Sequence, residues 1–454
     1  MFRRQGASVH GIRGFFCWLI VLSLIIGRGT VSRAAEEPLQ LYANAAVLLD
    51  GVSGRVLYEK NGDTPMAMAS TTKIMTCILV LENGELEDQA QVSAYAASMP
   101  KVKMNVQKGE QYEVRNLLFS MMLESHNDAA VVLAEYIGSR YMPEELREKP
   151  VADYTTEESK MAVKAFATLM NEKAAELGCT HTWFITPNGL DATETVQDAD
   201  GRYVERDHET TAAELARIMM YCVRESPGRD VFREITRTES YSFYENGKNV
   251  SCVNHNQFLT MMEGAFSGKT GYTNKAGYCY VGALEDDGRV FIVALLGCGW
   301  PEHKTYKWSD TRTLMQYGLD NYSYQEINGA KHAFDESLLK PIPVENGQTP
   351  YLGQEARVAL EVLERHGEEG ESAQEEPITV LLHKDEKIKV DYVWEKHLQA
   401  PVPAGMQVGT VTYRAGDTVY MTETIVTKSA VGEADWKWCV EQVLRRFVRL
   451  KSFQ

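Results

Sequence analysis

At 454 residues the chain is too long for one ordinary domain and suits two or three. With 44% hydrophobic, 24% charged and 9% aromatic residues it has the balance of a folded soluble protein. A formal net charge of −16 argues against a nucleic-acid partner, because phosphate binding needs clustered Lys and Arg.

Arg3, Arg4 and Arg13 precede an apolar run from Phe15 to Ile26, and Ser32-Arg33-Ala34 closes the segment with small residues. That is the three-part layout of a secretory signal, so residues 1–34 are expected to be a signal peptide on an exported protein. The run is about a dozen residues, short of the ~20 that span a bilayer as a helix. An uncleaved anchor is the alternative. Cys17 lies inside the run without a lipobox-like approach, which speaks against lipidation. Cys77, Cys179, Cys222, Cys252, Cys279, Cys298 and Cys439 are scattered, with no close pair spaced for a metal. Several lie in apolar runs, as buried thiols do. No zinc or other metal, no cofactor and no disulfide framework is expected.

The first folded stretch reads as a hairpin, Ala45 to Asp50 and Arg55 to Glu59, joined by Gly51-Val52-Ser53-Gly54. After Pro65 a helix opens at Ser70, carries Ile74, Met75, Ile78, Leu79 and Leu81, and stops at Asn83-Gly84. Its apolar residues cover more than one face, which predicts a core helix. Asn116 to Glu124 and Asp128 to Ile137 are two further helices with a very short break between them. Tyr141 to Glu158, with Pro143 and Pro150, and the Asp- and Glu-rich Thr193 to Asp207 read as surface insertions.

Strands return after Glu239. Tyr241–Tyr244 and Asn249–Val253 flank Asn246-Gly247, a strong hairpin signal. Tyr278–Leu284 and Arg289–Gly297 are long strands, and Trp308–Tyr322 is a closing helix. The pattern predicts an α+β fold over residues 40–325: an antiparallel sheet packed by helices, a helical lobe, and a cleft where the two meet. Residues 328–430 read as a small all-β domain, with strands at Ile378–Leu382, Ile388–Val393, Gln407–Tyr413 and Thr418–Val426 and a dense acidic stretch at Glu361–Glu376. Within 433–454, Trp436, Val440, Val443, Leu444 and Phe447 share a helix face, flanked by Lys437, Arg445, Arg446, Arg449 and Lys451. A basic amphipathic terminus on an acidic chain predicts a helix lying on a membrane surface. Docking on its own domain is the alternative.

Three short signals carry chemistry. Ser70-Thr71-Thr72-Lys73 opens the core helix, and residues three apart share a helix face. A serine hydroxyl needs a base beside it, and lysine serves only if desolvation or a second cation keeps its amine neutral. Ser125-His126-Asn127, in the break between two helices, offers a hydroxyl and an amide from a rigid base. Lys269-Thr270-Gly271, just ahead of the strand starting near Tyr278, offers two groups for a carboxylate and a glycine against which an extended backbone can lie. Each alone is weak: capping serines, surface lysines and turn glycines are common. Together and in this order they are the set shared by penicillin-binding proteins and class A β-lactamases.

The sequence resembles the D-alanyl-D-alanine carboxypeptidases among the low-molecular-mass penicillin-binding proteins. Beyond the three motifs the likeness rests on Ala45–Asp50 with Leu57–Lys60, Ala69–Thr76, Asn127–Ala130, Thr186–Asp191, His208–Leu215, Asn254-His255-Asn256 and Gly268–Gly277. It covers about residues 40 to 325, and the β region after it resembles that family's C-terminal domain. The resemblance implies a β-lactamase/penicillin-binding-protein-like fold and a serine peptidase that trims the terminal D-alanine from peptidoglycan stem peptides. In it Ser70 would be acylated, Lys73 would take its proton, and Ser125 would relay that proton to the departing D-alanine. Asn127 would position the acyl group, Lys269 and Thr270 would hold the carboxylate, and Gly271 would admit the peptide backbone. The backbone N–H groups of Ser70 and Tyr272 would hold the oxyanion, worth ~3 kcal/mol or more per donor. Penicillin and other β-lactam antibiotics would trap the acyl-enzyme. Two features depart from the family pattern: His126 stands where glycine is common, and the stretch between Leu190 and His208 is longer than expected.

Two other functions fit the sequence less well. A class A β-lactamase needs a deacylating carboxylate, usually Glu-x-x-x-Asn between the second and third motifs. The only such spacing, Glu245 to Asn249, straddles the Asn246-Gly247 turn late in the chain. A non-catalytic wall-binding protein would not be expected to keep Ser70, Lys73, Ser125, Asn127 and Lys269.

Overall fold

The computed structural model describes residues 39–451 apart from Ala199, Ala330 and 364–377. The expected signal at 1–34 and most of the acidic stretch at 361–376 lie outside the described residues.

Along the chain, β1 (Ala45–Asp50) and β2 (Val56–Lys60) form the expected hairpin. The core helix α1 (Lys73–Asn83), then α2 (Val114–Leu123), α3 (Asn127–Gly138) and α4 (Thr156–Glu176) build the helical lobe. Strands β3 (Ala265–Thr273), β4 (Gly277–Asp286) and β5 (Arg289–Leu296) then complete a five-stranded antiparallel sheet of order β3-β4-β5-β1-β2. Helix α5 (Tyr306–Asn321) closes this region.

β1 is buried at every position because both faces of the sheet are covered. Side chains alternate along a strand, so Ala45, Val47 and Leu49 join the core beneath the lobe while Ala46 and Leu48 pack with Leu314 and Met315 of α5. α1 buries Lys73 through Val80 without a break, as its all-round apolar pattern predicts. Each large apolar side chain so buried stabilises by about 1.5–3 kcal/mol. The Tyr141–Glu158 insertion is pinned to the surface by a satellite cluster of Met142, Tyr154 and Ala162. Thr193–Gln197 and Tyr203–Asp207 pair as an exposed hairpin.

Lys269-Thr270-Gly271 lies just ahead of β4, as expected, and itself forms part of a strand that the sequence reading did not mark: β3, the edge strand, where Lys269 pairs with Val281, Thr270 with Tyr280 and Gly271 with Cys279. The segment AFSGKTGYT holds two glycines and a lysine and lacks strand-like alternation, as edge strands often do.

After α5 the chain enters β6 (Tyr322–Glu326), which pairs with β7 (Thr379–His383). β8 (Ile388–Trp394), β9 (Gln407–Ala415) and β10 (Thr418–Thr427) form an antiparallel sheet with Leu360–Val362. This β region has its own core, including Ile327, Val358, Leu382, Val411 and Ile425. Arg55, between β1 and β2, bonds to Leu381 O at 3.2 Å and to the Glu386 carboxylate, tying the first hairpin to the β region. The last element is α6 (Trp436–Lys451). No helix among the described residues is long and apolar enough to cross a membrane.

Candidate active site

Ser70 sits in a single 3₁₀ turn, Ala69–Thr72, that runs directly into α1. In a 3₁₀ turn the side chains at i and i+3 eclipse, which is why the Ser-x-x-Lys spacing brings Lys73 Nζ to 2.9 Å from Ser70 Oγ. Ala69, just before the serine, has φ +50°, a left-handed conformation costing a residue with a Cβ about 1–2 kcal/mol. Thr71 and Thr72 hold the turn through their hydroxyls, which donate to Met68 O at 2.6 Å and Ala69 O at 2.8 Å.

Lys73 is fully buried, and its amine meets three groups. It donates to Asn127 Oδ1 at 2.9 Å and to the carbonyl of Asn188 at 2.6 Å; Ser70 Oγ is the third. The orientation of the Asn127 amide is fixed because its Nδ2 donates to the carbonyls of Pro100 and Lys101, both at 3.3 Å. Burial pushes the Lys73 amine well below its ordinary pKa, the positive charge of Lys269 pushes it further, and Asp128 opposes both. A neutral amine has two N–H donors and one lone pair. Two of its neighbours can only accept, so the lone pair is left for the hydroxyl of Ser70.

Across the cleft Lys269 donates to Ser125 Oγ and to its neighbour's carbonyl, Thr270 O, each at 3.0 Å. Burial lowers its pKa to about 7. Ser125 occupies the break between α2 and α3 with φ +64°, a second strained backbone position at the cleft after Ala69. Gly271 brings the strand edge against Ser70: a Cβ there would lie 2.8 Å from that residue's backbone nitrogen. Ser70, Lys73, Ser125, Asn127, Lys269 and Gly271, drawn from three distant stretches of chain, thus meet in one cleft. Thr270 shares the strand and is half-buried. The Tyr272 side chain turns to Tyr278, with ring centroids 4.7 Å apart, and its hydroxyl donates to Asn274.

Three supporting groups have no role in the sequence motifs. Asn188 contributes a backbone carbonyl, which no side-chain pattern encodes. Asp128 is buried and accepts from the N–H groups of Met104, Asn105 and Val106, clamping a loop beside Asn127. His208 is buried and held neutral, its pKa lowered by burial to about 3. Its Nδ1 accepts from the N–H of Ile185 at 2.9 Å, so Nε2 carries the proton and donates to Thr72 Oγ1 at 2.8 Å. One imidazole thereby joins the segment bearing Asn188 to the turn bearing Ser70. Its sequence signal was only its place at the head of the motif-like His208–Leu215 stretch.

The two departures resolve differently. His126 Nδ1 lies 2.7 Å from Ser120 Oγ on α2, so the ring is turned to that helix, and burial lowers its pKa. The longer Leu190–His208 segment reaches the end of β3, where Asp191 accepts from Thr273 and Asp207 pairs with Lys275. Glu245, the carboxylate a β-lactamase reading would need, accepts from the Glu113 N–H at the start of α2. Among the described residues no group of three His, Cys, Asp or Glu is placed to hold a metal.

Residues 31–141 and 157–298 match the family described as D-alanyl-D-alanine carboxypeptidase, peptidase S11. The chain belongs to this D-alanyl-D-alanine carboxypeptidase family. The break in the match, at 142–156, falls on the first surface insertion. Residues 368–433 match the C-terminal domain of penicillin-binding protein 5. The chain is similar to D-alanyl-D-alanine carboxypeptidase DacF of Bacillus subtilis, 24% identical over 418 residues that cover 90% of this chain and 91% of that protein. DacC of Escherichia coli is 25% identical over 418 residues, covering 89% and 88%. Among solved structures, the carboxypeptidase DacD of Francisella tularensis superposes with a TM-score of 0.57 at 25% identity, covering 89% of this chain and 96% of that one. A carboxypeptidase of Mycobacterium tuberculosis covers 63% of this chain and 94% of its own length, with 26% identity and a TM-score of 0.51. The fold is thus the α+β penicillin-binding-protein fold, followed by an all-β region. The activity is that of a serine-type D-Ala-D-Ala carboxypeptidase, a hydrolase.

Proposed function

We propose that Ser70 is the nucleophile that attacks the carbonyl between the two terminal D-alanines of a peptidoglycan stem pentapeptide, and that Lys73 is its base. The observation that carries this reading is the Lys73 amine, desolvated and surrounded by two obligate acceptors and the Ser70 hydroxyl. The proton passes from Ser70 to Lys73 and is delivered through Ser125 to the departing amine. Asn127 holds the acyl amide. Lys269 and Thr270 take the terminal carboxylate, while the backbone N–H groups of Ser70 and Tyr272 receive the oxyanion. Water then releases the shortened peptide, and a β-lactam, mimicking the dipeptide, blocks the same serine. Incubated with a synthetic pentapeptide ending in D-Ala-D-Ala, the protein should release free D-alanine and Ser70→Ala should release none. Equal release by both would overturn the assignment.

We also infer that this unit, residues 40–325, works outside the cytoplasmic membrane after export by residues 1–34, that 328–430 is its C-terminal β domain, and that 433–454 rests on the membrane surface. Support for the last point is the apolar face of α6, exposed rather than docked: Trp436 is 71% and Phe447 67% accessible. Deleting residues 436–454 should move the protein from the membrane fraction to the soluble one with D-alanine release unchanged. An unaltered membrane fraction would refute the anchor.

A further inference from the structure

Beside the cleft lies a group of aromatic rings that the reaction above does not use. It starts at Tyr272, the residue after Gly271 on β3, whose ring is tilted over that of its cross-strand partner Tyr278. The Tyr278 N–H donates to Gly299 O at 2.9 Å, which brings in the loop carrying Trp300. Trp300 is exposed, with its indole against Gly277 and its Nε1–H donating to Asn274 O at 3.0 Å. From the same loop His303 stacks on Tyr306, centroids 4.5 Å apart and planes 15° off parallel. Tyr306 stacks in turn on the exposed Tyr42, at 3.7 Å and 16°.

The rings are held in advance of any ligand. Gly297 and Gly299 have φ of +59° and +89°, and a Cβ at Gly299 would lie 3.0 Å from His303 Cβ and 3.2 Å from the Tyr306 ring. A loop fitted this closely loses little freedom on binding, and Tyr and Trp offer large rigid faces at low entropic cost. Tyr42, Tyr272 and Trp300 are the exposed members, and exposed aromatic groups beside a cleft suit a binding surface. Their chemistry fits a sugar: flat π-faces for the C–H faces of a pyranose, and polar ring edges for its hydroxyl and acetamide groups.

We propose that this ledge binds the N-acetylated glycan strand of peptidoglycan, holding the polymer while a stem peptide enters the cleft. The inference rests on the proposed peptidase reading, because continuity with β3 is what selects the glycan as occupant. A peptide strand has its own place at the β3 edge, and a membrane has its own contact in α6.

The probe is a hexamer of β-1,4-linked N-acetylglucosamine, titrated against the full chain and followed by tryptophan fluorescence and calorimetry. Wild type should bind it, and Trp300→Ala and Tyr42→Ala should each weaken binding about tenfold or more. D-alanine release from polymeric peptidoglycan should fall in step, while release from the free pentapeptide and penicillin labelling stay within twofold of wild type. No hexamer binding by wild type, or an unchanged ratio of polymer to free-peptide activity in both variants, would overturn the ledge. So would loss of attachment to anionic vesicles without loss of hexamer binding. Failure to cleave the free pentapeptide would count against the catalytic assignment instead, since hexamer binding is read without catalysis.

Discussion

Lys73→Met should leave the protein folded and slow acylation by penicillin about 10³-fold. Positioned general bases contribute roughly 10²–10⁴ in rate, and the other partner of Ser70 Oγ among the described residues, the Asn188 carbonyl at 3.4 Å, is not basic enough to replace the amine. Methionine approximates the length of the lysine stem without its amine, so the cavity stays filled. The two lysines also set a pH profile. Lys73 must be neutral to act, and burial together with Lys269 lowers its pKa, so the acid limb reflects its protonation and lies well below the range of a free lysine. In the proposed reaction Lys269 holds a carboxylate, for which it must be charged. With its pKa at about 7 in the free enzyme, it loses that charge as pH rises, so kcat/KM should decline above about 7. A bound carboxylate favours the charged form, so kcat should decline less steeply than kcat/KM. Stopped-flow labelling of wild type and variant across pH reads both effects. A Lys73→Met rate within tenfold of wild type would remove lysine as the base.

Gly189→Ala should be the most damaging single methyl group in the lobe. Gly189 has φ +84°, and a Cβ there would lie 2.0 Å from Ala69 O and 2.8 Å from the Ser70 nitrogen. Both neighbours are backbone, so relief requires moving either the nucleophile's turn or the segment that presents the Asn188 carbonyl to Lys73. A displacement of about 1 Å at such a site can cost 10²-fold. We expect acylation to fall about 10²-fold or more, and stability by roughly 3 kcal/mol, as clashes in tight packing do. Gly109→Ala separates strain from clash: its φ is +85°, but nothing lies within 4 Å of the added carbon. It should cost only about 1 kcal/mol and leave acylation untouched. Urea unfolding and labelling rates test the pair, and similar losses in both variants would refute the clash.

Ser70 and Lys73 could be paired from spacing alone, because a helical turn eclipses them whatever the rest of the fold does. The α1 helix and β1 were legible because both are apolar on every side. β3 was not, because an edge strand needs no alternation and Gly268 and Gly271 are kept small by neighbours across the strand and across the cleft: Tyr280 and Asn256 for one, Ser70 for the other. The Asn188 carbonyl was invisible for a different reason, since main-chain groups act through position and leave no side-chain signature. His208 and Asp128 act one contact away from the reacting atoms, as a brace and a clamp, and such roles emerge only once the segments they join are adjacent.

The most direct test is to treat the full chain with penicillin, measure its intact mass, and map the modified peptide. A single penicilloyl adduct should form on the peptide containing Ser70, and none should form on Ser70→Ala. An adduct on any other residue, or an unmodified wild-type protein, would contradict the account.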